Sequence, residues 1–161
     1  PISINYLSKS SPLGAKRQIV PHSIADSGLR WHVRAFDRKR NEFRDFVINR
    51  VSSLDPCKSD EILTHEERAA DDEWNTIVEL ELQPHPRLSE IAPMIEFEYQ
   101  MVSGILKKKV RQALAGYLLD SWNIDASPDA SLSGEHVMLH LRNAEELKFK
   151  NKVLAPGAGH C

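Results

Sequence analysis

Two stretches of this chain carry side chains that could grip an anion. They are Arg30-Trp31-His32-Val33-Arg34-Ala35-Phe36 and Phe43-Arg44-Asp45-Phe46-Val47-Ile48-Asn49-Arg50. Alternate residues of a β-strand point to opposite faces. Arg30, His32 and Arg34 therefore share one face, and Trp31, Val33 and Ala35 the other. The same count places Arg44, Phe46, Ile48 and Arg50 together on the second stretch. A guanidinium is seldom buried unpaired, so converging arginines need anions, either carboxylates or phosphates. The acids nearby are Asp26, Asp37, Glu42 and Asp45, and only Asp45 lies within a strand, its parity setting it opposite Arg44 and Arg50. Residue types alone leave a phosphate pocket and a structural charge network both open.

Chemistry for breaking bonds is not legible. His32 lies between two cations that discourage its protonation, and no nucleophile or carboxylate is evidently arranged with it. An enzyme acting on nucleic acid or nucleotides would have to use His32 or His22 as its base. Phe46 could stack on a base, although a core phenylalanine is the commoner case. His136 and His140 are four apart, a zinc spacing on a helix. The interleaved Val137, Leu139 and Leu141 instead indicate a strand, where the two would stand about 13 Å apart. No catalytic residue, metal or cofactor is expected.

The elements that must position these residues follow from periodicity and turn signals. The chain has 161 residues, with 41% apolar and 27% charged, as in an ordinary globular protein. Its net charge of −2 is unevenly spread: residues 1–54 hold ten Lys/Arg against four Asp/Glu, and the remainder eleven against nineteen. A basic first third favours a polyanion partner. Ile2, Ile4 and Tyr6 mark a first strand, Ser8 to Lys16 reads as a loop, and Arg17–Val20 as a short strand stopped by Pro21. The hairpin follows, its strands joined by the polar turn Asp37–Glu42. Short strands this closely spaced predict a small barrel, closed so as to hide its edges.

Residues 55–73 read as a linker with at most a short helix around Glu61–Ala70. In the second unit, Val78, Leu80 and Leu82 give a strand ended by Pro84-His85-Pro86. Ile95, Phe97, Tyr99 and Met101 alternate as another strand. Leu106, Val110, Ala113, Leu114, Tyr117 and Leu118 recur at helical spacing, and Lys107-Lys108-Lys109 reads as part of that helix's solvated face. Gly116 costs this helix about 1 kcal/mol against alanine. His136–Arg142 is a last strand, and Leu154–Cys161 a frayed tail. Cys57 and Cys161 form no disulfide framework or metal spacing, which fits a reducing compartment and a cytoplasmic location. No apolar run approaches the roughly 20 residues that span a bilayer, so no membrane partner is expected. The start, Pro1-Ile2-Ser3, lacks methionine and reads as lying inside a strand, as in a fragment whose preceding domain is missing.

Arg17-x-x-x-Pro21, Arg30-Trp31-His32-Val33-Arg34-Ala35-Phe36 and Phe43-Arg44-x-Phe46-x-x-x-Arg50 together resemble a WYL domain. Trp31-His32-Val33 stands where that family has Trp-Tyr-Leu. The variant Pro21-His22 with Arg-Trp-His-Val-Arg-Ala looks most like the phage-defence-associated WYL repressors of the BrxR and CapW type. Trp74 to Asp125, with Pro84-His85-Pro86-x-Leu88, is similar to the C-terminal extension (WCX) of those proteins.

The resemblance implies an α+β chain. A small Sm- or SH3-like β-barrel (WYL) occupies residues 1–54, with a linker at 55–73. A ferredoxin-like α/β extension (WCX) follows at 74–146, then a tail at 147–161. It further implies a ligand-sensing, non-enzymatic module of a transcriptional regulator, with a nucleic-acid fragment or nucleotide as effector. A winged helix-turn-helix, missing here, would bind operator DNA as a homodimer. The motif places Tyr6, Ser8, Arg17, His22, His32, Arg34, Arg44, Phe46 and Arg50 around the pocket; Trp31 is left out because alternation puts it on the core face. A constitutive Sm-like RNA-binding module is a further alternative. Homodimerisation is expected through the C-terminal unit, where Trp74, Trp122, Phe97 and Tyr99 exceed what a core of some 70 residues needs.

Overall fold

In the computed structural model, which describes residues 1–57 and 61–159, the chain divides into two units, the first Pro1–Asp72 and the second from Glu73 on. The first is an antiparallel sheet of β1 (Ile2–Ser8), β2 (Ser11–Asp26), β3 (Trp31–Asp37), β4 (Glu42–Val47) and β5 (Val51–Pro56), in the order β4-β3-β2-β1-β5. One face holds the core of Ile4, Ile19, Ala35 and Phe46, with Ile2, Tyr6, Val33 and Val51 packed on it. The expected closed barrel is corrected: among the described residues β4 and β5 do not pair. A single 3-10 turn, Ile48–Arg50, carries the chain from β4 to the opposite edge of the sheet, where β5 joins β1.

Two turn signals proved weaker than strand pairing. Of the stretch expected as a loop, only residues 9–10 are a turn; Ser8 ends β1 and residues 11–16 belong to β2, which pairs with β1 from Ser11 onward. Gly14, at φ +95°, faces the Asn5 side chain so closely that a Cβ would collide with it. Pro21 does not end β2 either. The register slips between Pro21 and Ser23, a bulge that leaves His22 as the extra residue, and pairing resumes through Asp26. A proline has no N–H for the ladder, and a bulge is where a sheet interior tolerates one.

The hairpin register also differs from expectation. Arg44 pairs with Ala35 and Phe46 with Val33, while Arg34 stands across from Asp45. Arg44 and Phe46 thus share the core-side face of β3, not the side that carries His32 and Arg34. Alternation sets which residues of a strand are neighbours, but a slip of one residue exchanges the faces of its partner. Trp31, expected on the core face, lies beyond the core at the strand's start and is 56% exposed. Residues 61–71 are fastened to this same unit by two arginine–carboxylate pairs, as described below.

The second unit has a three-stranded antiparallel sheet, β7-β6-β8, made of β6 (Ile77–Pro84), β7 (Leu106–Arg111) and β8 (Leu139–Leu141). A four-residue helix, α1 (Asp72–Asn75), precedes β6; α2 (Ala92–Glu98) and α3 (Gln112–Ser121) complete the layer. Leu80, Leu82, Ile95, Leu119, Ile124, Leu139 and Leu141 form its core.

Two elements here depart from the sequence reading. Ile95–Met101 was expected as a strand, but Pro93 sits in the first turn of α2, where its missing N–H costs nothing. Ile95 and Tyr99, four apart, face the core, and Phe97 does not. Leu106–Leu118 was expected to be all helix, yet its first six residues are β7. Leu106 and Val110 satisfy both a period of two and a spacing of four. The cross-strand lysine–glutamate contacts of Lys107 with Glu79 (2.9 Å) and Glu81 (3.0 Å) fit the strand. The tail expected to fray is packed as far as Ala158: Ala155 is buried, and the Ala126 amide donates to the Pro156 carbonyl. His160 and Cys161 lie outside the described residues. Among the described residues no helix is long and apolar enough to cross a membrane.

Candidate anion-binding site

At one end of the first unit's core face the apolar layer gives way to charge. A cavity of about 210 Å³ is lined by Tyr6 and Ser8 of β1, Ser10 of the turn, Arg17 of β2 and Asp37 at the end of β3. Arg40 of the hairpin turn, Arg44, Asp45 and Phe46 of β4, and Arg50 complete it. Four guanidiniums therefore meet two carboxylates. Arg17 reaches Asp37 at 3.4 Å, and Arg44 bonds Glu42 at 3.2 Å near the surface. Arg40 and Arg50 have no side-chain hydrogen bond or ion pair among the described residues. Asp37 also accepts from the Lys39 amide at 3.0 Å, which holds the turn bearing Arg40. Asn41 takes a left-handed φ of 55° there, which an asparagine adopts readily.

The aromatic pair beneath is not available for stacking. Phe46 is 3% exposed and meets the Tyr6 ring edge-on with centroids 5.0 Å apart, while the Tyr6 hydroxyl accepts from the Val47 amide at 3.1 Å. Recognition in this cavity would thus come from charge and hydroxyls, not from a π-face.

The structure brings Tyr6, Ser8, Arg17, Arg44, Phe46 and Arg50 together, but not His22, His32 or Arg34. Those three point to the other face of the sheet, which residues 64–71 cover. Arg34 is 4% exposed and grips Asp71 with two bonds, Nε to Oδ2 at 2.8 Å and Nη2 to Oδ1 at 2.9 Å; Asp45 adds a longer contact at 3.4 Å. His22 Nε2 lies 3.1 Å from the same Asp71 and its Nδ1 2.9 Å from Ser23. A second fork joins Arg38 to Glu66, with both bonds at 2.7 Å, and lowers the Glu66 pKa from the ordinary carboxylate value. His32 is buried. Its pKa is lowered by that burial first and by Arg30 and Arg50 as well, against an opposing pull from Asp45.

Comparison with known proteins finds a separate family match in each of the two units. Residues 1–56 match the WYL domain, and residues 77–147 match the C-terminal dimerization domain of the BrxR transcriptional regulator. The chain joins a WYL domain to a BrxR-type C-terminal dimerization domain. The DNA-binding transcriptional repressor CapW of Escherichia coli (strain KTE188) is 36% identical over 148 residues, which is 91% of this chain and 48% of that protein. Its counterpart in Pseudomonas aeruginosa is 35% identical over the same shares. The chain spans about half the length of the curated relatives it matches. Among solved structures, proteasome accessory factor B/C of Arthrobacter aurescens is 19% identical and overlays 76% of this chain on 21% of its own. Its TM-score of 0.31 is too low to inform the fold.

Within the WYL domain, the sequence reading missed Ser10, Asp37, Arg40 and Asp45 as lining residues. Arg40 was visible as part of a basic turn, Asp37-Arg38-Lys39-Arg40, but nothing local says which of its three cations turns inward. The Arg34 partner was not visible at all, because Asp71 lies 37 residues further on, in the stretch that reads as a linker. The dimerization domain has a buried polar cluster of its own. His85 Nδ1 accepts from the Arg87 amide at 3.2 Å, so its Nε2–H donates to Asp125 at 3.0 Å. Burial alone would raise the Asp125 pKa, but hydrogen bonds from Ser127, His85 and Leu132 outweigh it and leave the pKa lowered. His140 Nε2 donates to the Ser127 carbonyl at 2.9 Å. With its partners supplied by the fold, this cluster orders the loop after α3.

Proposed function

We propose that this chain is the effector-sensing and dimerising portion of a non-enzymatic transcriptional repressor of the BrxR and CapW type. A phosphate-bearing nucleic-acid fragment or nucleotide would enter the WYL cavity. Its phosphate would meet Arg17, Arg40, Arg44 and Arg50, and Ser8 and Ser10 would donate hydroxyls. The observation that carries this reading is the surplus of guanidinium over carboxylate in one small cavity, with Arg40 and Arg50 unpaired among the described residues. A guanidinium offers a planar fork that matches phosphate oxygens two at a time. In this reading the five-stranded sheet is the Sm-like layer of the WYL fold, left open between β4 and β5.

Operator DNA would be read by a winged helix-turn-helix in the portion of such repressors that this chain does not span. The whole regulator would act in the cytoplasm as a homodimer. An effector that binds one arrangement of that dimer more tightly would shift it toward or away from DNA, since only differential affinity moves such an equilibrium. Against an enzyme stands the placement of the two candidate bases: His32 is buried, and His22 is held between Ser23 and Asp71.

The test is titration of the purified chain with short single-stranded DNA carrying or lacking a 5′-phosphate, and with a nucleotide panel, by fluorescence anisotropy. The proposal expects binding that requires phosphate and weakens with salt. Equal affinity for nucleosides and nucleotides would refute it.

A further inference from the structure

Helix α2 turns only one side inward. Of Ala92–Glu98, Ile95 alone is buried. At about 100° per residue, Pro93, Met94 and Phe97 fall within one arc of about 100° away from Ile95, and Glu96 and Glu98 flank that arc. Phe97 is 88% exposed and Met94 49%; Val102, in the turn that follows, is 78% exposed. Phe97 touches no other ring among the described residues, whereas Trp122 is engaged by Tyr99 at 6.4 Å and by the Lys108 ammonium at 5.8 Å. The domain's own core is complete without these side chains.

A contiguous apolar stripe of this kind marks a contact surface more than a surface made for water. Aromatic and methionine side chains at the centre with carboxylates at the rim are the composition of a protein–protein interface. The surface lies inside residues 77–147, the span that matches a dimerization domain. We infer that the α2 face centred on Phe97 is the two-fold seam against the same face of a second copy of this chain. The inference rests on the proposed homodimer and names where it closes. In a two-fold contact the same patch serves both subunits, so Phe97 and Met94 pack near the axis. Glu96 and Glu98 then stay at the wet edge, where their like charges do not have to be buried.

The experiment is a dilution series of the whole chain by sedimentation equilibrium, comparing the wild type with Phe97→Glu, Met94→Glu and, as a control, Ile24→Glu on the exposed part of β2. The expected result is a dimer whose dissociation constant rises at least about thirtyfold in Phe97→Glu, as for an anchor residue at an interface centre. Ile24→Glu should stay at the wild-type value. A wild-type dimer that survives unchanged in Phe97→Glu and Met94→Glu overturns the seam but leaves dimerisation standing. A wild-type chain that is monomeric at tens of micromolar overturns both. Should Phe97→Glu fail to fold, Phe97→Cys with Cys57 and Cys161 changed to serine decides the matter. It should cross-link into a disulfide dimer on mild oxidation, and its staying monomeric under the same oxidation refutes the seam.

Discussion

The Arg34 guanidinium and the Asp71 carboxylate meet as a fork, with Nε 2.8 Å from Oδ2 and Nη2 2.9 Å from Oδ1, across 37 residues of chain. Both side chains are buried. This pair, with Arg38 and Glu66, holds residues 64–71 against the face of β3 opposite the cavity. Arg34 is therefore a structural residue in this fold, whereas Arg17, Arg40, Arg44 and Arg50 face a space that something else can fill.

Removing one partner of a buried ion pair strands the other. Arg34→Ala should destabilise the first unit by about 3–5 kcal/mol, and Arg34→Lys by less, since lysine keeps the charge but loses the fork. Urea unfolding followed by circular dichroism measures this. A loss below about 1 kcal/mol would mean that Asp71 finds water or another donor, and that the clamp matters little.

Arg50 should behave in the opposite way. Its side chain has no hydrogen bond or ion pair to lose among the described residues, so Arg50→Ala should change stability by no more than about 0.5 kcal/mol. A charge-assisted bond to phosphate is worth about 1.5–3 kcal/mol, so affinity for a phosphorylated ligand should fall roughly ten- to a hundredfold. If three arginines each neutralise one phosphate of a single strand, log K should fall with log salt at a slope of about −2. An affinity that ignores both the substitution and the salt would point to an uncharged ligand.

His32 should titrate below 6.5, because burial opposes its charge and Arg30 and Arg50 add to that. Between its lowered folded pKa and about 6.5 the unfolded chain binds the additional proton. The folded state therefore loses stability as pH falls through that window, and below it the contribution is flat. Thermal melts from pH 5 to 8 should show a smaller acid loss in His32→Gln than in the wild type. An imidazole NMR titration with its midpoint at or above 6.5 would contradict the account.

Gly116→Ala should reverse the usual helix ranking. Alanine is favoured over glycine inside a helix by about 1 kcal/mol, but a Cβ here would overlap the Asn151 carbonyl oxygen. Asn151 also accepts from the Gly116 amide at 3.1 Å and donates to the Ala113 carbonyl at 2.6 Å, which ties the chain after Phe149 onto α3. Overpacking of this sort typically costs about 1–3 kcal/mol, so the variant should be the less stable one in a denaturant titration. A gain in stability would show that the Asn151 segment can move aside at little cost.

Part of this protein is written locally. The alternation of Ile2, Ile4 and Tyr6, and of Val33 and Ala35, predicts strands because side-chain period depends only on the strand's own pleat. The polar run Asp37–Glu42 predicts the hairpin turn for the same kind of reason. Composition alone also separates a basic first third from an acidic remainder, and six residues named from the motif do line one cavity. What only the tertiary structure decided is pairing and direction. Arg44 and Phe46 lie on the core side because the β3–β4 register sets them across from Ala35 and Val33, and register depends on how two strands close, not on either strand. Ile95, Phe97 and Tyr99 alternate as a strand's residues do, yet with Pro93 in the first turn and Ile95 turned into the core the stretch through Glu98 is helix. Whether an arginine meets a carboxylate or stays open to a ligand depended on Asp71, a residue that only the folded chain brings back to Arg34.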